Sequence, residues 1–84
     1  MTEAEALHTL REILGAEFEL TPESVRAEAR LQEDLDLDSL DAVVLAVRLE
    51  ERTGLVIDDD LVASIRTVRD ILDAILQQLP GRGA

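Results

Sequence analysis

Residues 34–41 read DLDLDSLD and run directly into AVVLAV, residues 42–47. One serine, Ser39, lies among four aspartates at the entrance to the most apolar stretch of the chain. Asp38, with Asp41 three residues on, has the chemistry of a helix N-terminus, where a short side-chain oxygen accepts from a backbone N–H that has no intrahelical partner. Gly54 follows Glu51-Arg52-Thr53 and is a natural stop, because glycine takes the left-handed backbone that a helix end requires. A helix is therefore expected between these two residues.

This helix carries two apolar stripes. At about 100° per residue, Ala42, Leu45, Ala46 and Leu49 cluster on one face, and Leu40, Val43, Val44 and Val47 lie almost opposite. Asp41, Arg48 and Arg52 separate the stripes on one side, Ser39 and Glu50 on the other. A bundle this small rarely buries both faces of one helix. One stripe beside Ser39 is expected to face solvent, and exposed apolar stripes mark partner surfaces.

Working outward, Thr2 and Glu5 form a capping box for a first helix. Leu7, Leu10, Ile13 and Leu14 give it a one-sided stripe, and Gly15 is its expected stop, so helix one is placed at residues 3–14. Over 20 residues then separate it from Ser39, which is long for a loop without structure of its own. Phe18, Leu20, Val25, Leu31 and Leu35 recur through this connection, and Pro22 suits the first position of a short helical turn. The loop is thus expected to be pinned across the core. Leu55-Val56-Ile57 re-enter the core, and Asp58-Asp59-Asp60 put negative charge at the start of a short helix reaching about Ser64. Thr67 and Asp70 make another capping pair. Val68, Ile71, Leu72, Ile75, Leu76 and Leu79 then form the stripe of a last helix, ended by Pro80-Gly81. The fold class is all-α: a four-helix bundle of three longer helices and one short one, with a long loop between helices one and two. Residues 1–80 read as one domain and residues 81–84 as a disordered tail.

Composition narrows the function. An 84-residue chain must build its core efficiently, and 46% of its residues are hydrophobic, with Phe18 the only aromatic. There is no cysteine, hence no disulfide framework, no thiolate metal site and no cysteine nucleophile. Eight arginines, no lysine and 19 acidic residues give a net charge of -11. Such a surface repels phosphate backbones, so no nucleic-acid partner is expected, while basic protein surfaces are favoured. The acidic N-terminus MTEAEALHTL has no signal-peptide apolar block, and no stretch approaches a membrane span. A cytoplasmic monomer with no membrane insertion is expected, and Met1 beside its capping box favours a discrete protein.

Neither catalysis nor metal binding is expected. His8, the only histidine, lies on helix one far in sequence from Ser39, and no G-x-S-x-G elbow surrounds that serine. Asp34, Asp36 and Asp38 match the first three ligand positions of an EF-hand loop. However, the sixth position is Ser39 rather than glycine and the twelfth is Leu45 rather than a bidentate glutamate.

With these residues in view, DLDLDSLD followed by AVVLAVRLEERTG resembles the acyl carrier protein motif, commonly D-L-G-x-D-S-L ahead of an amphipathic helix. The similarity spans residues 3–79. It implies that Ser39 receives 4'-phosphopantetheine from coenzyme A through a phosphopantetheinyl transferase, that Asp38 caps the helix and contributes to the transferase's recognition, and that Leu40 is the adjacent apolar contact. It also implies docking of partner enzymes along Asp41, Val43, Val44, Val47, Arg48 and Glu51. Those partners would be a ketosynthase, an acyltransferase or acyl-carrier ligase, a ketoreductase and a dehydratase of fatty-acid- or polyketide-type synthesis. Three positions depart from the common pattern. Asp36 stands where glycine is usual, and aspartate tolerates a left-handed backbone better than most residues. Val44 and Arg48 stand where housekeeping fatty-acid carriers have glutamate and a small neutral residue. Together with EFEL and SIRTV, these features are similar to specialised polyketide-like carriers, including those of aryl polyene clusters. Within the same class an aminoacyl or peptidyl carrier is the alternative, and outside it an unmodified helical interaction domain.

Overall fold

The structure, a computed structural model, describes residues 1–79. Four α-helices follow in order: α1 (Glu3–Phe18), α2 (Ser39–Thr53), α3 (Asp59–Ser64) and α4 (Val68–Gln78), with a 3-10 turn at Pro22–Ser24 between α1 and α2. Among the described residues there is no strand, only one isolated antiparallel bridge, Arg30 with Thr67. α1 packs against both α2 and α4, and α3 packs against α2.

Each helix begins as its sequence dictates. Thr2 with Glu5, Asp38 with Asp41 and Thr67 with Asp70 all form reciprocal capping boxes, and Asp58 caps α3 through the Leu61 N–H. Each cap is worth about 1 kcal/mol. Leu10, Leu14, Leu49, Ile71, Leu72, Ile75, Val25 and Val68 are the largest fully buried side chains. Each contributes roughly 1.5–3 kcal/mol by leaving water.

α1 does not stop at Gly15 but runs four residues past Leu14, to Phe18. Glycine costs about 1 kcal/mol inside a helix, and the added turn offsets it by packing Phe18 and Leu20 against the core. Glu19 closes the helix in the left-handed conformation (φ 58°), its N–H donating to Gly15 and that of Leu20 to Leu14. A Cβ at Gly15 would lie 3.4 Å from the Leu20 carbonyl oxygen, an ordinary van der Waals contact, so neither space nor backbone conformation demands glycine there.

The long connection is pinned, as its apolar spacing predicts. Val25, Leu31 and Leu35 are buried, with Ala29 and Leu37 beside them, and Phe18 and Leu20 are partly buried. Backbone bonds fasten it to the start of α4: Leu31 N–H donates to Arg66 O, Val68 N–H to Ala29 O and Arg69 N–H to Ala27 O. The Arg11 guanidinium donates to the Val25 carbonyl from the other side. Leu55-Val56-Ile57 needs a correction. Leu55 is buried and Ile57 half-buried, but Val56 points outward, because this extended segment alternates its side chains between faces. The Val56 backbone is held by both polar ends of the Gln78 amide. α4 ends at Gln78 with Leu79 as its cap. Pro80-Gly81 and the 81–84 tail lie outside the described residues.

Candidate functional site

Ser39 is the first residue of α2, and its side chain is exposed. The turn that delivers it bends sharply at Asp36, which adopts φ 58° where most residues would be strained. Leu35 and Leu37 anchor this turn from below, both buried. Asp34 ties its start, accepting from the Arg30 N–H at 2.8 Å and from the Arg30 guanidinium. The Arg30 backbone N–H first, and its guanidinium second, hold the Asp34 carboxyl below the usual carboxylate range. Asp38 accepts from the Asp41 N–H at 2.9 Å, and Asp41 accepts from the Asp38 N–H at 3.1 Å. Asp34 and Asp38 are thus engaged in local structure, and among the described residues no three acidic or histidine side chains converge as metal ligands.

The remaining first-turn donors are free. Among the described residues, neither the Ser39 nor the Leu40 N–H has a protein acceptor. They point out of a helix N-terminus whose dipole favours negative charge. A cleft of about 530 Å³ opens beside Ser39 between α2, α3 and the loop. Leu31, Leu37, Ala42, Val43, Val62, Ala63 and Ile65 supply its apolar wall, while Gln32, Glu33, Asp38, Asp59 and Arg66 are its polar members. Sequence reasoning had not singled out Gln32, Glu33, Asp59 or Arg66 as site residues. They come from three separate segments, and no local pattern joins them.

The outer stripe of α2 is exposed, whereas its opposite face is not. Leu40 is 64% exposed, Val43 52%, Val47 42% and Val44 38%, while Leu45, Ala46 and Leu49 are buried and Ala42 half-buried. Arg48 and Glu51 sit beside that stripe, yet they are not free charges. Arg48 donates to Glu17 on α1 at 2.9 Å and to Glu51 at 3.1 Å, and Glu51 first, then Glu17, raises its pKa. The positive charge that Arg48 brings to this face is therefore neutralised locally. Next to it Arg52 pairs with Glu12, which also meets His8. His8 sits on α1 with its Nε2 3.2 Å from a Glu12 carboxylate oxygen.

No helix among the described residues is long and apolar enough to cross a membrane. The family described as phosphopantetheine attachment site matches residues 8–75. Acyl carrier protein 2 of Ralstonia nicotianae is 47% identical over 75 residues, covering 89% of this chain and 93% of its own. The meromycolate extension acyl carrier protein of Mycolicibacterium smegmatis is 37% identical, covering 93% and 78% respectively. The crystal structure of the acyl carrier protein of Thermotoga maritima superposes with a TM-score of 0.82 at 27% identity, covering 92% of this chain and 89% of that one.

Proposed function

Because the chain belongs to the acyl carrier protein family, whose members carry acyl groups on 4'-phosphopantetheine and do not themselves catalyse, we propose that Ser39 is where that group is attached. The supporting observation is the position of Ser39: an exposed hydroxyl at the first residue of α2, beside two free backbone N–H donors and at the mouth of a cleft. The residues fit the group. A phosphodiester on this oxygen is an anion at a helix N-terminus, where the Ser39 and Leu40 N–H groups and the helix dipole stabilise negative charge. Asp38 fixes the helix start through Asp41, so the Ser39 backbone is held at the first residue of α2. Ser39 needs no base of its own, because the phosphopantetheinyl transferase that modifies it supplies one. Once attached, the group contributes a thiol that holds acyl chains as thioesters, chemistry that a chain without cysteine otherwise lacks.

The stripe Leu40, Val43, Val44 and Val47, with Asp41, Arg48 and Glu51 at its margin, is the docking surface for successive enzymes in this reading. Those enzymes are a ketosynthase, an acyltransferase or acyl-carrier ligase, a ketoreductase and a dehydratase, met by a cytoplasmic monomer. The stripe is aliphatic and its one arginine is already paired. It therefore suits partners that present an apolar surface, which favours a specialised polyketide-type pathway over housekeeping fatty-acid synthesis. Incubation with coenzyme A and a broad-specificity transferase, followed by intact-mass and peptide analysis, tests the attachment. One phosphopantetheine on the peptide containing Ser39 is expected. No mass gain, or a group on Ser24 or Ser64, overturns the reading.

A further inference from the structure

Among the described residues, six of the seven arginines spend their side chains on a protein partner: Arg11 on the Val25 carbonyl, and Arg26, Arg30, Arg48, Arg52 and Arg69 on carboxylates. Arg66 is the exception. Its backbone N–H donates to Asp70 and its carbonyl accepts from Leu31, but its guanidinium has no acceptor, in a protein of net charge -11. Arg66 is one of the residues that line the cleft beside Ser39.

The charge in this cleft is lopsided. Glu33, Asp38 and Asp59 line it alongside Arg66, the only cationic residue among the described residues that line it. An anionic group introduced from Ser39 would meet three carboxylates and be repelled from the cleft unless one cation offsets them. A guanidinium is suited to that role, since it stays charged at all relevant pH and offers a planar fork of donors to phosphate or carboxylate oxygens. The bridge between Arg30 and Thr67, with the bond from Leu31 N–H to Arg66 O, fixes the backbone that carries it.

We propose that Arg66 is a binding residue for the prosthetic arm, drawing an anionic group of the arm or its cargo into the cleft between α2 and α3. The anion is either the phosphodiester itself or the carboxylate of a dicarboxylic acyl group carried as its half-thioester. This rests on Ser39 being the attachment site, and the test separates the two.

The experiment compares the unmodified chain with forms carrying phosphopantetheine, acetyl-phosphopantetheine and malonyl-phosphopantetheine, each confirmed by intact mass. It follows the Arg66 side-chain Nε–H resonance, the phosphorus resonance and the titration of the malonyl carboxyl. Binding of the phosphodiester should shift the Arg66 signal in all three modified forms, and Arg66→Gln should move the phosphorus resonance while Arg66→Lys restores it. Binding of the cargo carboxylate should shift the Arg66 signal in the malonyl form alone, and Arg66→Gln should raise the malonyl carboxyl pKa. An Arg66 signal identical in all four wild-type forms overturns the proposal without needing any variant. A chain that gains no mass on Ser39 overturns the attachment reading instead.

Discussion

α2 and α4 start with the same device and come to opposite ends. Asp38 with Asp41 and Thr67 with Asp70 are both reciprocal capping boxes, and each opens an amphipathic helix. At α4 the loop covers the opening: the N–H groups of Val68 and Arg69 are taken by the carbonyls of Ala29 and Ala27, and Val68 is fully buried. At α2 the corresponding N–H groups of Ser39 and Leu40 are free and both residues are exposed. The stripes differ in the same way. Val68, Ile71, Leu72 and Ile75 of α4 are buried, whereas Leu40, Val43, Val44 and Val47 of α2 face solvent. A cap fixes where a helix begins, but the packing around it decides whether that beginning is sealed or available for chemistry.

The largest expected effect tests the open end of α2. Ser39→Ala should abolish phosphopantetheine transfer completely while leaving the far-ultraviolet helical signal unchanged, because an exposed first-turn hydroxyl makes little contribution to the fold. Residual modification of that variant would mean that the open N-terminus is not the site.

The two stripes should separate next in stability. Leu72→Ala in α4 leaves a cavity and should cost about 2–5 kcal/mol in urea unfolding. Val43→Ala in α2 should stay within about 0.5 kcal/mol. Equal losses would make the α2 stripe part of the core and erase the contrast.

Val44→Glu asks what that stripe is for. It should fold and accept phosphopantetheine, yet lose transfer to the cognate ketosynthase, since an unpaired carboxylate desolvated at an interface costs roughly 1–3 kcal/mol. Turnover by a housekeeping fatty-acid ketosynthase, whose own carriers have glutamate at this position, should improve. If both enzymes respond alike, the aliphatic stripe does not select between pathways.

The smallest effect lies in the loop that seals α4. Arg30 holds the Asp34 carboxyl below its ordinary range, so the charged form favours the folded state. Asp34→Asn should therefore lower the melting midpoint at neutral pH. Because the folded pKa is the depressed one, this gap should close as pH falls through it and be absent once wild-type Asp34 is protonated. A gap that persists unchanged in acid would assign the effect to side-chain shape rather than charge. Moderate salt should raise the midpoint of both proteins by screening a net charge of -11.

By itself the sequence determined the features that depend on neighbours a few residues apart. The start of every helix, the Gly54 stop, the existence of two stripes on α2 and the placement of Ser39 at a helix opening all follow from capping chemistry and helical spacing. Tertiary structure decided whatever depends on what lies across the core. It carried α1 beyond Gly15, because Phe18 and Leu20 had apolar surface to cover. It turned Val56 outward between two inward neighbours, and it paired Arg48 with Glu17 of α1, 31 residues away. It chose which α2 stripe met α1, since only one face of a helix can be covered by a single neighbour. It also brought Arg66 to the cleft of Ser39, 27 positions distant, through loop-to-helix backbone bonds that leave no periodic trace in the sequence.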